Sequence, residues 1–253
     1  MGIRSLSRSL RQRLRSWAGG EPEPYLPYLR PEQVGPIGFR FFFATPEARD
    51  WYDPLKPYAR LEYEWVLENI PLPGQKILDG GAHHGQYSIV FGLGADRDAE
   101  IVAVDPVDSN CDIAEVNFGL NALEIRIERC AISNTGEPVR FSGTSNGRIV
   151  DSGGILRPSK RLVDLLPDAT IIKLDIEGAE FDILPHQLVE LPSVHTWIVE
   201  IHPYFGRDPD LLTRLFLDRG FTLDWVDREK NQVVPYAPGI RWSSHSTVFA
   251  RRS

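Results

Sequence analysis

The sequence predicts an α/β fold built on a doubly wound, mostly parallel sheet, and three observations carry that prediction. From residue 75 onward, strand-length apolar runs alternate with helical runs, the signature of repeated βα units. A glycine-rich turn, Asp79-Gly80-Gly81-Ala82-His83-His84-Gly85-Gln86-Tyr87-Ser88, follows the first strand directly and opens the first helix. The fourth strand ends in charge. Within Ile171-Ile172-Lys173-Leu174-Asp175-Ile176-Glu177-Gly178-Ala179-Glu180, alternation puts Lys173, Asp175 and Glu177 on one face and Ile172, Leu174 and Ile176 on the other. Charges at the end of a buried strand are costly unless partnered, and the carboxyl ends of open α/β sheets are where ligands bind. A salt-bridged strand terminus is the bland alternative.

Taken in order, residues 1–20 hold five arginines and no acid, with Ile3, Leu6, Leu10, Leu14 and Trp17 at steps of three and four. That spacing makes one face of a short basic amphipathic helix, suited to an anionic membrane surface or a partner. A terminal helix docked on its own protein, a frayed tail and a mitochondrial presequence share this composition. Residues 21–70 form a proline-rich connector and covering segment. Pro22, Pro24, Pro27, Pro31 and Pro36 predict extended chain, and Phe39, Phe41, Phe42 and Phe43 predict packing. Tyr58–Asn69 reads as a helix stopped by Pro71. This preface is expected to cover one side of the main domain or its substrate cleft.

Residues 71–253 make the main domain, with strands expected at 76–79, 101–105, 125–130, 170–175, 196–201, 221–226 and 247–251. Helices are expected at 85–93, 109–120, 179–191 and 208–219. Residues 139–141 and 148–150 read as a small inserted hairpin. The last two strands have no helix between them, which predicts a seven-stranded sheet with an antiparallel C-terminal strand at its edge.

Bulk properties narrow the function. At 253 residues and 42% hydrophobic, the chain can bury a full core. No apolar run reaches bilayer length, and no secretory h-region stands at the N-terminus. Cys111 and Cys130 form no CxxC and no zinc spacing, so reduced thiols in a cytoplasmic protein are the simplest reading. Such a protein would be peripheral to the inner face of a membrane if residues 1–20 bind one. The net charge of −7 argues against a nucleic-acid partner.

The glycine-rich turn points to a cofactor. Gly81 and Gly85 allow close backbone approach, and Asp105, at the end of the second strand, can accept hydrogen bonds from both ribose hydroxyls of an adenosine cofactor. A nicotinamide enzyme wants G-x-G-x-x-G. A P-loop wants Lys and Ser or Thr where Gln86 and Tyr87 stand. The loop has no Lys or Arg, which fits a cofactor without phosphates and points to S-adenosylmethionine.

With both ends read, the chain resembles the FkbM-type family of Rossmann-like, S-adenosylmethionine-dependent methyltransferases over roughly residues 75–205. The resemblance rests on Ile77 to Ser88, on Val104-Asp105-Pro106 followed by Asn117, and on Cys130-Ala131-Ile132-Ser133. It continues through Lys173 to Glu180 and ends with Glu200-Ile201-His202. The family usually has Asn at the place of His83 and Glu at that of Asp105. The resemblance implies a class I methyltransferase fold and methyl transfer to a hydroxyl of a saccharide, glycolipid or polyketide. It places Gly81 at the methionine part of the cofactor, Asp105 at the ribose, and Cys130, Ala131 and Ile132 near the adenine. Asp79, Ala82, His83, Gly85, Tyr87, Pro106 and Asp175 complete the expected cofactor-binding set.

Glu200 and His202, two apart on the fifth strand, are expected to finish beside Asp175, Glu177 and Lys173 as one catalytic cluster. His202 is the base candidate, because imidazole titrates near working pH, and Lys173 has a structural pairing as its alternative. No metal is assigned, although Asp175, Glu177, Glu200 and His202 are suited to hold one divalent ion. His83 and His84 read as exposed loop residues, with one facing the ligand as the alternative. His186, His195 and His245 form no constellation. An N-methyltransferase on the same fold, with the aromatics at 39–43 near an amine, and a non-catalytic partner subunit are the competing readings.

Overall fold

The structure is a computed structural model, and it describes residues 24–143, 145–203, 206–240, 242 and 245–252. The helix expected over residues 1–20 lies outside the described residues. The extended chain expected in the preface pairs with the following segment as a hairpin. Strand β1 (Tyr28–Val34) pairs antiparallel with β2 (Ile37–Phe43) through a tight turn at Gly35. Pro31 is tolerated because this sheet has only two strands, so a missing N–H can face outward. Phe39, Phe41 and Phe43 alternate onto the buried face. Helix α1 (Pro46–Tyr52) starts on Thr45, whose hydroxyl accepts from Ala48 N at 3.1 Å. Helix α2 (Pro57–Asn69) starts with proline at its first position and ends before Pro71.

The main sheet has eight strands where seven were expected. Strands β3 (Gln75–Gly80), β4 (Ala99–Val104) and β5 (Arg126–Glu128) run outward in one direction, joined by helices α3 (Gln86–Gly94) and α4 (Asp108–Leu120). After β5 come two minor pairings. One joins β6 (Ala131–Ile132) to β9 (Ser159–Lys160) in parallel. In the other, β7 (Val139–Phe141) takes β8 (Ile155–Arg157) as an antiparallel partner, while residues 148–150 close the expected hairpin through a bridge from Phe141 to Ile149, with Ser142 N donating to Arg148 O and Val150 N to Arg140 O, each at 2.9 Å. Gly154 permits the additional pairing with β8. At φ 63° a Cβ there would lie 2.8 Å from the Phe141 carbonyl carbon, so only glycine lets residues 155–157 close on β7.

A short helix, α5 (Leu162–Leu165), leads to β10 (Ile171–Leu174), which returns to the other side of β3. The crevice between β3 and β10 is therefore the topological switch point of the sheet. Helix α6 (Glu180–Gln187) leads to β11 (Thr196–Ile201), and α7 (Pro209–Leu217), capped by Asp208, leads to β12 (Thr222–Asp227). Strand β13 (Gln232–Pro235) is the unexpected eighth and forms the edge. The last strand, β14 (Ser246–Arg251), lies inside the sheet, antiparallel to both β11 and β12.

Strand alternation divides the core between the two faces. Leu78, Ile172, Leu174, Trp197, Val199 and Ile201 pack toward α6 and α7. Ile77, Ile101, Ile171, Ile198 and Phe249 pack toward α3 and the preface. Trp65 of α2 stacks on Phe249 at 3.9 Å, and Asn117 accepts from Phe42 N at 2.7 Å. The preface thus covers the face to which Lys173 and Glu200 belong.

Candidate active site

A cavity of about 410 Å³ opens at the switch point, bounded by the carboxyl ends of β3, β4, β10 and β11 and by the preface helices. Its construction begins at Gly81. This residue sits at φ 74°, and a Cβ there would lie 2.8 Å from the Asp175 carbonyl carbon. The backbones leaving β3 and β10 touch, and only glycine permits it. Gly85 at φ 82° packs on Phe118 and begins α3, but it does not line the cavity.

One end of the cavity is formed by Asp105 and an apolar slot. One oxygen of Asp105 accepts from Val107 N at 2.9 Å and from Asn110 Nδ2 at 3.1 Å, and the other accepts from His83 N at 3.0 Å. Burial raises this carboxyl to about 6 despite those three donors. Ala82, Pro106, Cys130, Ala131 and Ile132 line the same end, joined by Phe141 and Ile149 from the inserted segment. Burial pushes the Cys130 thiol up to about 11.

His83 and His84 are not solvent-exposed loop residues. His84 is fully buried, and the two rings stack at 3.8 Å. His83 lies between Tyr52 OH and Ser145 Oγ, each 2.9 Å from a ring nitrogen. Burial holds both imidazoles well below the ordinary value, so both are neutral at pH 7. His83 therefore clasps the preface and the inserted segment together over the cavity.

The other end is the charged cluster. Lys173 is buried, with Nζ 3.3 Å from Asp79, 3.8 Å from Asp175 and donating to Gly81 O at 3.1 Å. Burial alone lowers its pKa, but the charges of Asp79 and Asp175 outweigh that and raise it above the ordinary lysine value. Asp79 also accepts from Ser88 Oγ at 2.6 Å and stands behind the cavity wall. Its place is to hold Lys173 and the start of α3.

Asp175, Glu200 and His202 bring one ligand atom each to within 4.8 Å of one another. His202 Nε2 lies 3.7 Å from both Asp175 and Glu177. Its Nδ1 faces Glu180 Oε1 at 3.2 Å, and its backbone N–H donates to that same oxygen at 2.7 Å. Burial lowers the His202 pKa, but Glu180 and then Asp175 and Glu200 more than offset it, to about 9. In this arrangement His202 is an imidazolium at neutral pH and cannot accept a proton. Asp175 is raised to about 6 by burial and by Glu200. Glu177 is raised by burial, and its left-handed backbone at φ 53° turns the chain into Gly178.

The spacing pattern missed several residues of this site. His245 stacks on His202 at 5.4 Å and lies 3.3 Å from Glu200, brought there by β14. Arg228 donates to Glu200 Oε1 at 2.6 Å and covers the Tyr58 ring at 4.1 Å. Glu62 on α2 is buried and lines the cavity. Burial and Glu200 lift it to about 8. A charge four residues from both Tyr58 and Val66, on the apolar stripe of α2, was the signal that could have found it. Phe39, Phe41 and Phe43 belong to the core, and the aromatics at the cavity are Trp51, Tyr52, Tyr58, Tyr63 and Tyr87.

A cavity at the switch point of a Rossmann-like sheet, with an acid after the second parallel strand, defines a class I methyltransferase fold, and known structures agree. A SAM-dependent methyltransferase from Agrobacterium tumefaciens superposes with a TM-score of 0.53 at 16% identity, covering 91% of this chain and 72% of that one. Methyltransferase FkbM from Methylobacillus flagellatus gives 0.51 at 16% identity over 81% of this chain and 50% of that one. The chain thus spans half the length of that protein. A 16S rRNA methyltransferase of T. thermophilus, in complex with AdoMet and guanosine, gives 0.51 at 16% identity, covering 92% of this chain and 52% of that one. No curated protein sequence matches the chain significantly. The Methyltransferase FkbM domain profile matches residues 79–223. The chain belongs to the FkbM methyltransferase family.

Proposed function

We propose that the chain is an S-adenosylmethionine-dependent O-methyltransferase acting on a hydroxyl of a saccharide, glycolipid or polyketide-like small molecule. The observation that carries this reading is one continuous cavity, with Asp105 and an apolar slot at one end and the Asp175, Glu177, Glu200 and His202 cluster at the other. The residues fit the cofactor. Lys173 is the sole Lys or Arg among the described lining residues, and its ammonium is already engaged by Asp79 and Gly81. A wall without a spare cation suits an adenosine cofactor that carries no phosphate. Asp105 would hold the ribose, with Ala131, Ile132 and Phe141 flanking the adenine and Gly81, Ala82 and Tyr87 at the methionine end. When bound, S-adenosylmethionine supplies a methyl group on a sulfonium, open to in-line displacement.

The chain's own part is positioning and proton handling. Asp175 and Glu177 are the proton acceptors, because burial makes them stronger bases than ordinary carboxylates. His202, as an imidazolium, holds the two in place. The membrane-facing or partner-facing role of residues 1–20 belongs to the same proposal, as does a cytoplasmic location. Among the described residues no helix is long and apolar enough to cross a membrane.

An N-methyltransferase is the second reading, favoured by Trp51, Tyr52 and Tyr58 lining the cavity with Glu62 and Glu177. Aromatic faces and carboxylates together attract an amine cation. The test is methyl-labelled S-adenosylmethionine offered with a panel of saccharides and matched amines. Label in a hydroxyl is the expected result, label confined to amines supports the second reading, and label in neither contradicts both.

A further inference from the structure

We propose that Asp175, Glu200 and His202 form a binding site for one divalent cation of the Mn2+ or Mg2+ type, on the acceptor side of the cavity. Two carboxylates and an imidazole are a hard-to-borderline donor set that such ions accept, and the ion takes the place of the His202 Nε2 proton, which is released as it binds. The three ligand atoms lie within 4.8 Å of one another, and His202 Nε2 is 3.7 Å from Asp175 Oδ1. Neighbouring ligands around a hexacoordinate ion with bonds of about 2.1 Å stand about 3 Å apart, so rotation of two carboxylates closes the site. The ligands come from the ends of β10 and β11, rigid paired strands in register from Ile171 with Thr196 to Leu174 with Val199.

Three further observations point to a cation rather than to a self-contained ion-pair cluster. The first is the orientation of His202. Its Nδ1 and backbone N–H are both held by the fully buried Glu180, which aims Nε2 at the cavity. A carboxylate on the far nitrogen is how metal-binding histidines are usually fixed. The second is a pair of buried oxygens with no hydrogen bond of good geometry. Glu62 and Thr247 are 5% and 2% exposed, and they line the same cavity. Glu62 Oε1 and Thr247 Oγ1 make no hydrogen bond of good geometry among the described residues, with Glu62 engaged only loosely by Thr247 and by Arg228 at 3.8 Å. Thr247 is the direct strand partner of Glu200, so its hydroxyl stands on the same wall. Oxygens so placed are complementary to the waters that a hydrated ion retains.

The third observation is charge. Among the described residues of this cluster, Asp79, Asp175, Glu177, Glu180 and Glu200 outnumber Lys173, Arg228 and His202, while burial keeps Glu62 protonated and the neighbouring His245 neutral. A cation relieves that excess. Three protein ligands leave positions for water or for an acceptor hydroxyl, which the ion would orient and acidify beside Glu177. That role rests on the methyl-transfer reading. The site itself does not.

The test is a Mn2+ titration of the full chain after stripping with EDTA, followed by the loss of the free-ion electron paramagnetic resonance signal. Wild type is compared with Glu200→Gln and Asp175→Asn, each checked for folding by circular dichroism. The expected result is one saturable Mn2+ per chain, weakened about tenfold or more in both variants. Absence of saturable binding to folded wild type overturns the proposal, and so does binding that both variants retain. S-adenosylmethionine binding is measured on the same stripped protein by calorimetry. Cofactor binding without Mn2+ binding overturns the metal site and leaves the methyltransferase reading standing, and Mn2+ binding without cofactor binding does the reverse.

Discussion

Gly81→Ala separates two effects that glycine substitutions usually confound, because this chain supplies its own control. Gly81 and Gly74 share the same φ of 74°, but a Cβ at Gly74 meets nothing within 4 Å. A Cβ at Gly81 is driven into the Asp175 carbonyl, 2.8 Å from its carbon. The left-handed backbone costs an alanine about 1–2 kcal/mol at either position. The reduced freedom of the unfolded chain returns about 0.4–1 kcal/mol equally in both. Gly74→Ala is therefore expected to lower the melting temperature by only a few degrees. Gly81→Ala must also part β3 from β10, where Gly80 O accepts from Asp175 N at 3.0 Å. Overpacking against fixed backbone adds about 1–3 kcal/mol. The net cost is about 1–5 kcal/mol, and at about 2–4 °C per kcal/mol for a chain of this size, Gly81→Ala should melt roughly 2–18 °C below wild type. Thermal unfolding followed by circular dichroism reads both variants, and calorimetry reads cofactor binding in whatever remains folded. Equal melting temperatures for the two variants, with S-adenosylmethionine binding intact in Gly81→Ala, would refute the close approach of β3 and β10 on which the site is built.

Other expectations follow from the same geometry. Asp105→Ala removes the acceptor proposed for two ribose hydrogen bonds to a charged group, together worth about 3 kcal/mol, so calorimetry should show S-adenosylmethionine affinity falling about 100-fold. Asp105 is raised to about 6 from 3.8, which means its ionisation opposes folding. That cost is absent below pH 3.8, fully present above about pH 6, and on the order of 3 kcal/mol. Denaturant titrations across that window should fall less steeply with rising pH in Asp105→Asn. Lys173→Met leaves Asp79 buried without its ammonium, a loss of about 3–5 kcal/mol, seen as a lower denaturation midpoint. Methyl transfer should fall as pH drops through about 6, where Asp175 takes up its proton, and a rate that is flat from about pH 5 to 7 would remove Asp175 from proton transfer.

The parallel half of the fold was legible because local patterns and global topology agree there. Gln75–Gly80, Ala99–Val104, Ile171–Leu174 and Thr196–Ile201 are apolar runs bounded by turns, and the structure places them within two residues of expectation. The C-terminal strand was legible as a strand but not by position. Nothing in Ser246–Arg251 says that it inserts between β11 and β12, because that choice is made by long-range pairing. The additional pairing in the inserted segment turned on Gly154, whose role depends on the approach of Phe141. In the site, Lys173, Asp175, Glu200 and His202 could be brought together on paper because strand period and the neighbouring of β10 and β11 are general rules. Glu62, Arg228 and His245 reach the same cluster from α2, from the turn after β12 and from just before β14. Their arrival depends on tertiary packing that no local spacing encodes. The protonation of His202 was equally hidden, since it is set by Glu180, a residue that reads in sequence as an ordinary first-turn acid of a helix.

The measurement closest to the central claim is a calorimetric titration of the purified full chain with S-adenosylmethionine, repeated with S-adenosylhomocysteine in competition. One site per chain, shared by both molecules, is the predicted result. A folded protein that binds neither would contradict the assignment of the cavity at the switch point.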